Sequence, residues 1–254
     1  MAKDSFKFDS AAIGDLFNTN SMFSIPDFQR GYVWSTTSNK KQGERLWEDI
    51  VSILNGDIEK IFLGPILIDQ VETSLLSDNE AEIVDGQQRL LTLYLLVLAL
   101  MREAEINGNE GLKSLCESRL TFTGNDKKKK PKITPGLKDR EQFATVFKKL
   151  NTYKNDQSLI LPQEYGSKKG RLVDMYNYHF NRVKQYTREN KEYSSSEHEK
   201  LAKVVLESLI LGSIEIPETF DTNEVFRVLN EGGAPLDASE LVRNLIYQKV
   251  KKIE

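Results

Sequence analysis

From Leu90 to Met101 every residue is apolar except Thr92 and Tyr94. A helix that is apolar all the way round must be wrapped by other elements, in a large core or in a membrane. Twelve residues fall short of the ~20 that a membrane span needs. The flanks are also charged, with Asp85 and Arg89 on one side and Arg102-Glu103 on the other. The stretch therefore reads as the buried central helix of a soluble protein, with no membrane partner. What precedes it is as informative. A short β-branched run, Glu82-Ile83-Val84, stops at Asp85-Gly86, and Gln87-Gln88-Arg89 fills the hinge between strand and helix.

A helix built only for packing needs one capping residue at its start, and Asp85 is placed to supply it. Three consecutive long polar side chains exceed that need. The first amides of a helix have no intrahelical acceptor and its dipole favours negative charge, so Arg89 and two amides there make a seat for an anion such as phosphate. The same residues also serve as plain architecture, an Asp-Gly turn before a buried helix. Spacing alone does not separate the two readings.

At 254 residues the chain holds one large domain or two small ones and can bury a core. The net charge of −3 gives no global field for nucleic acid, so DNA binding would need a local patch. One cysteine, Cys116, rules out an internal disulfide and any cysteine-based metal cluster. The first residues lack the apolar stretch of a signal peptide, and the expected location is the cytoplasm.

Along the chain, Phe8, Ile13, Leu16 and Phe17 have roughly helical spacing and predict a short helix within residues 1–20. Pro26 bars a helix interior from the following segment, so Gln29 and Arg30 are expected on extended chain between aromatic residues. That pair reads either as a plain edge strand with a surface arginine or as a polar pair held facing a ligand. Leu46, Trp47, Ile50, Val51 and Leu54 predict a helix over 39–56 that ends at Asn55-Gly56. Ile61 to Asp69 reads as a buried strand with a bulge at Gly64-Pro65. Beyond residue 105 helical patterns dominate up to residue 210. The basic run Lys127, Lys128, Lys129, Lys130 with Lys132 reads first as a solvated loop and second as a DNA contact; it lacks the aromatics of a stacking platform. His179 is expected to be a partly buried helix residue and His198 a surface one. Ile214-Glu215-Ile216-Pro217 predicts a strand, and Gly232-Gly233 a flexible link between two closing helices. That link reads equally as a turn or as backbone approaching phosphate.

Four motifs stand in order: Ile25-Pro26-Asp27-Phe28-Gln29-Arg30-Gly31-Tyr32-Val33-Trp34, Phe62-Leu63-Gly64-Pro65-Ile66, Asp85-Gly86-Gln87-Gln88-Arg89, and Phe226-Arg227-Val228-Leu229-Asn230-Glu231-Gly232-Gly233-Ala234-Pro235-Leu236. Together they resemble the N-terminal domain of the GmrSD-type, modification-dependent restriction endonucleases. The resemblance covers roughly 15–105 and 212–248. It implies an α+β fold: a small mixed ParB/sulfiredoxin-like sheet with packed helices, bearing a mainly helical insertion. The implied division is a core at 1–105, a helical subdomain at 106–211 and a returning segment at 212–254.

The resemblance further implies nucleotide handling by the Asp-Gly-Gln-Gln-Arg motif. Asp85 would orient a magnesium ion or water, and Arg89 would meet the phosphates. Gln87 and Gln88 would bond phosphate oxygens or the attacking water. Gln29 and Arg30 would form a second clamp, with Gly86, Asn230 and Gly232 completing the nucleotide pocket. The implied partners are GTP or ATP, DNA, modified or unmodified, and a nuclease domain or subunit. Neither histidine sits in a His-Asn-His-type nuclease motif, so this chain is expected not to cut DNA by that route and to be a separate subunit, a degenerate relative or a fragment. Two functional readings follow: a nucleoside triphosphatase controlling a nuclease in anti-phage defence, or a ParB-like DNA-binding or scaffolding module that holds nucleotide with little turnover. Nuclease chemistry in the core itself ranks below both, because no cluster of carboxylates accompanies Asp85, although Glu82 lies close in sequence.

Overall fold

A computed structural model describes residues 6–19, 21–27, 29–36, 41–71, 79–152, 164–165, 168–189, 191–217, 219–221 and 225. In chain order the elements are β1 (Lys7–Ala12), α1 (Ile13–Leu16), β2 (Met22–Ser24), α2 (Gln42–Asn55), β3 (Ile61–Val71), β4 (Glu80–Asp85), α3 (Gln87–Ile106) and α4 (Glu110–Leu120). There follow β5 (Thr121–Thr123), β6 (Lys129–Pro131), β7 (Ile133–Thr134), α5 (Arg140–Thr152), β8 (Glu164–Tyr165), β9 (Lys168–Lys169), α6 (Arg171–Thr187), α7 (Ser195–Lys203), a π-helical turn at Val204–Ser208, and β10 (Leu209–Glu215).

Six strands form one mixed sheet in the order β1-β10-β3-β4-β2-β7, while β5-β6 and β8-β9 make separate two-stranded ribbons. The fold is α+β with a mixed sheet, as the sequence led us to expect. Helix α3 is buried on all sides, from Leu90 through Ala104, packed between the sheet and α4, α6 and α7. Tyr94 in its middle donates to Leu120 O at 2.7 Å, which satisfies a hydroxyl that no water reaches.

Side chains alternate across a strand. On β3 and β4, Ile66, Ile68 and Ile83 join the main core under the helices, whereas Leu67 and Val84 face the other way. There they form a small second cluster with Ile214 and Ile216, against which Phe6, Phe8 and Val225 pack. The bulge expected at Gly64-Pro65 is present. Phe62 pairs with Ile210 and Pro65 with Gly212, so β3 carries one more residue than β10 over that interval. Alternation along β10 turns Leu209 and Leu211 towards the main core and Ile214 towards the second cluster.

Three local expectations are corrected. Residues 7–12 form an edge strand rather than part of a helix, because Phe8 pairs with Ile214 and sheet formation overrides the weak helical spacing; only Ile13–Leu16 is helical. The position capping α3 falls on Gly86, with φ +89° and no side-chain cap, so Asp85 ends the strand instead of capping the helix. His198 is fully buried rather than on the surface, since α7 lies against α3 and α6, and its Nδ1 pairs with Tyr193 OH at 2.7 Å. The strand expected around Ile214 begins earlier, at Leu209. The expected closing helices, with Asn230, Gly232 and Gly233, lie outside the described residues.

Candidate functional site

Strands β4, β2 and β7 are neighbours, and β2 runs parallel to both. Parallel neighbours deliver the chain segments that follow them to the same end of a sheet, which is where open sheets bind ligands. After β4 comes Asp85 to Arg89, after β2 the segment to Trp34, and after β7 the turn with Lys138 and Asp139. Residues far apart in sequence are thereby brought to one corner.

The corner is built on a stretch of backbone, 29–33, that has no strand partner. Its polar groups are satisfied by side chains. Gln29 is buried and donates from Nε2 to Ile83 O at 2.6 Å and Val84 O at 3.1 Å, pinning the segment to β4. Gln87 Nε2 donates to Arg30 O at 3.2 Å. Gln88 takes both sides of the next turn of chain: its Nε2 donates to Gly31 O at 3.3 Å, and its Oε1 accepts from Val33 N–H at 2.7 Å. Asp139 Oδ2 accepts from Tyr32 N–H at 2.8 Å, and Arg171 donates to Val33 O at 2.8 Å. Tyr32 OH pairs with Thr92 Oγ1 at 2.5 Å, which in turn donates to Gln88 O at 2.7 Å. The loop is thus held rigid by α3, α5 and α6. Burial raises the carboxyl pKa of Asp139, which the Tyr32 N–H partly offsets.

Arg89 is half-buried and donates to Pro65 O. Its guanidinium lies over Gly64, where a Cβ would come within 3.2 Å of it, and φ of +98° there also suits glycine. Gly86 is equally constrained: a Cβ would meet Ile66 Cγ2 at 2.7 Å. Four charged residues of the corner are exposed: Lys138 and Arg171 donate to the carbonyls of Gln29 and Val33, whereas Asp85 at the end of β4 and Arg30 on the pinned segment make no side-chain hydrogen bond with another described residue. The first helical hydrogen bond of α3 is Leu90 N–H to Gly86 O at 3.0 Å, so the amides of Gln87 and Gln88 precede the helical ladder.

The sequence-predicted residues Gln29, Arg30, Asp85, Gly86, Gln87, Gln88 and Arg89 therefore come together. The roles of Gln87 and Gln88 differ from expectation: both are buried, and their amides hold backbone. Asp139, Lys138 and Arg171 were missed by sequence reasoning, since a lone acid or base in a polar helical region carries no distinguishing signal. Lys138 Nζ reaches Gln29 O at 3.4 Å. The basic run is not one patch. Lys129 pairs with Glu117 at 2.5 Å and Lys130 with Asp126 at 3.2 Å, while Lys132 is buried and donates to Phe17 O at 2.6 Å. Among the described residues of the β5–β6 ribbon, the Lys127 and Lys128 side chains are exposed and form no salt bridge, although the Lys128 N–H donates to Asp126 Oδ1 at 3.0 Å.

No group of three or more His, Cys, Asp or Glu that could cage a metal occurs among the described residues. Magnesium bound with a nucleotide needs only one or two carboxylates, the rest being phosphate oxygens and water. A lone exposed Asp85 beside helix amides fits that donor set. Glu82, half-buried on β4 between Ser24 and Asp69 of the neighbouring strands, has its pKa raised by desolvation and by Asp69 and Glu80.

The family model for the N-terminal domain of the GmrSD restriction endonuclease matches residues 13–247. The chain belongs to this family. The match spans the helical middle as well as the two ends that carry the motifs, in keeping with Asp139 and Arg171 reaching into the corner. The chain is accordingly a domain of a restriction system. No curated protein matches it. No described helix is long and apolar enough to cross a membrane.

Proposed function

We propose that the corner at the ends of β4, β2 and β7 binds and hydrolyses a nucleoside triphosphate, and that turnover controls a nuclease domain or subunit of the restriction system. The observation that carries this reading is the division of labour in the corner. Its amide side chains are spent on holding backbone, and this leaves Asp85 and Arg30 exposed on a rigid frame at a helix start. A frame so held is costly to build for a turn alone.

In this reading the backbone N–H groups of Gln87 and Gln88 and the dipole of α3 meet the phosphates. Arg30 neutralises charge developing on the transferred phosphoryl group, the main demand of such a reaction. Asp85 would hold magnesium, whose chemistry is to withdraw charge from the phosphate oxygens, and would orient the attacking water. Arg89 acts mainly as a brace for Pro65 and turns a positive face to the site. Asn230 and Gly232, carried over from the fourth motif, are proposed to complete the nucleotide pocket. Contact with DNA, modified or not, is assigned to the whole restriction system. In this chain the exposed Lys127 and Lys128 of the β5–β6 ribbon are proposed to contribute to it.

The test is nucleotide-dependent stabilisation. At a ligand concentration of about 100 times Kd, binding adds roughly 2.7 kcal/mol, or about 5–10 °C in Tm. GTP or ATP with magnesium should raise the Tm of the wild type by that order and leave Arg30→Ala and Asp85→Asn nearly unmoved. A wild type that does not respond to either nucleotide refutes the reading.

A further inference from the structure

A cleft of about 170 Å³ opens between α2 and the first turns of α3. Leu46, Leu63 and Leu93 give it apolar walls, Trp34 adds an indole, Gln42 an amide, and Arg45, Asp49 and Arg89 are its charged members. At ~30 Å³ per water the space equals about five or six waters, well below the ~300–1,000 Å³ of a site that holds a whole ligand. It suits one flat ring system whose remainder lies outside. Arg89 belongs both to this cleft and to the Asp85–Arg89 motif, so the remainder of such a ligand would lie at the phosphate corner.

The polar chemistry narrows the ring further. Asp49 is half-buried on α2 and makes no hydrogen bond or ion pair with another described residue. Burial and the neighbouring Glu48 raise its pKa, the mark of a carboxylate short of donors. A carboxylate accepts best from two adjacent N–H groups. Among the common bases, guanine presents a ring N–H beside an exocyclic amine. Adenine offers a single donor next to an acceptor, and uracil sets carbonyls on both sides of its ring N–H. An indole supplies a stacking face that any base accepts.

We propose that this cleft receives the base of the nucleotide, with Asp49 selecting guanine through its ring N–H and exocyclic amine and Trp34 stacking on the ring. The proposal deepens the reading of the corner and rests on it for the phosphates.

The test is calorimetric titration of the full chain, with magnesium, by GTP, ATP, inosine triphosphate (which lacks the exocyclic amine), xanthosine triphosphate, tripolyphosphate and guanosine. GTP should bind at least tenfold tighter than ATP or inosine triphosphate. Asp49→Asn should weaken GTP tenfold or more, favour xanthosine triphosphate and leave tripolyphosphate unchanged. Trp34→Leu should weaken GTP without affecting tripolyphosphate, and melting curves of both variants check the fold. Equal affinity for the three purine triphosphates, or wild-type GTP affinity in Asp49→Asn, overturns the proposal while tripolyphosphate binding upholds the corner. Guanosine bound in an Asp49-dependent way without any tripolyphosphate binding upholds the cleft and refutes the corner. Binding of none of these ligands refutes both.

Discussion

Replacing Gln88 with alanine separates a frame residue from a ligand-binding one. The side chain is almost fully buried and makes two hydrogen bonds to one loop, at 2.7 Å from Val33 N–H and at 3.3 Å to Gly31 O. Each is worth ~0.5–1.5 kcal/mol net, and a donor left without a partner adds to the cost. Truncation also leaves a small void beside Tyr32, for which core substitutions set the scale. The sum is about 2–4 kcal/mol, or ~4–16 °C in Tm for a chain of this size. The assay is thermal unfolding of Gln88→Ala against wild type without nucleotide, with hydrogen exchange read at residues 30–34. The Val33 amide should lose protection in the variant. If Gln88→Ala melts within about 1 °C of wild type and Val33 stays protected, the clamp is wrong and Gln88 is free to serve a ligand.

Other consequences follow from the same structure. Gly86→Ala forces a Cβ onto Ile66 at a left-handed backbone position; left-handed strain and overpacking together cost ~2–4 kcal/mol, readable as a lower urea midpoint. His179 and His198 are buried, with burial lowering their pKa values to about 3 and about 4 from an ordinary 6.5. Both must be neutral in the fold, so their contribution is complete above pH 6.5 and is lost as pH falls towards 4. At pH 4.5 the loss is ~2–3 kcal/mol for each by linkage. His179→Leu should halve that part of the acid sensitivity in urea titrations at pH 7.5 and 4.5, and an unchanged acid loss would contradict it. Arg89→Ala should lower Tm without nucleotide, because it removes the brace on Pro65 O; an unchanged Tm would mark Arg89 as purely a ligand residue.

The parts of the fold that read cleanly from sequence are those where local chemistry and burial agree. The all-round apolar run of α3, the Gly56 end of α2 and the Gly64-Pro65 bulge each have one physical solution. The strand at 7–12 did not, because its pairing partner lies some 200 residues away, at Ser213 and its neighbours. The corner was half legible. Asp85 to Arg89 and Gln29-Arg30 stood out as polar residues in apolar or aromatic surroundings. Which of them face solvent and which hold backbone depends on the parallel pairing of β2 with β4, and no local pattern encodes that pairing. Asp139 and Arg171 were invisible for the same reason: their role comes from where β7 and α6 place them.

The most direct measurement is phosphate release from GTP and ATP with magnesium by wild type, Asp85→Asn and Arg30→Ala, with the Tm of each protein recorded without nucleotide. Both side chains are exposed, so neither substitution should move Tm. The account predicts turnover in the wild type that both variants lose while their melting curves superimpose. Turnover that survives in both variants, or none in the wild type, would contradict it.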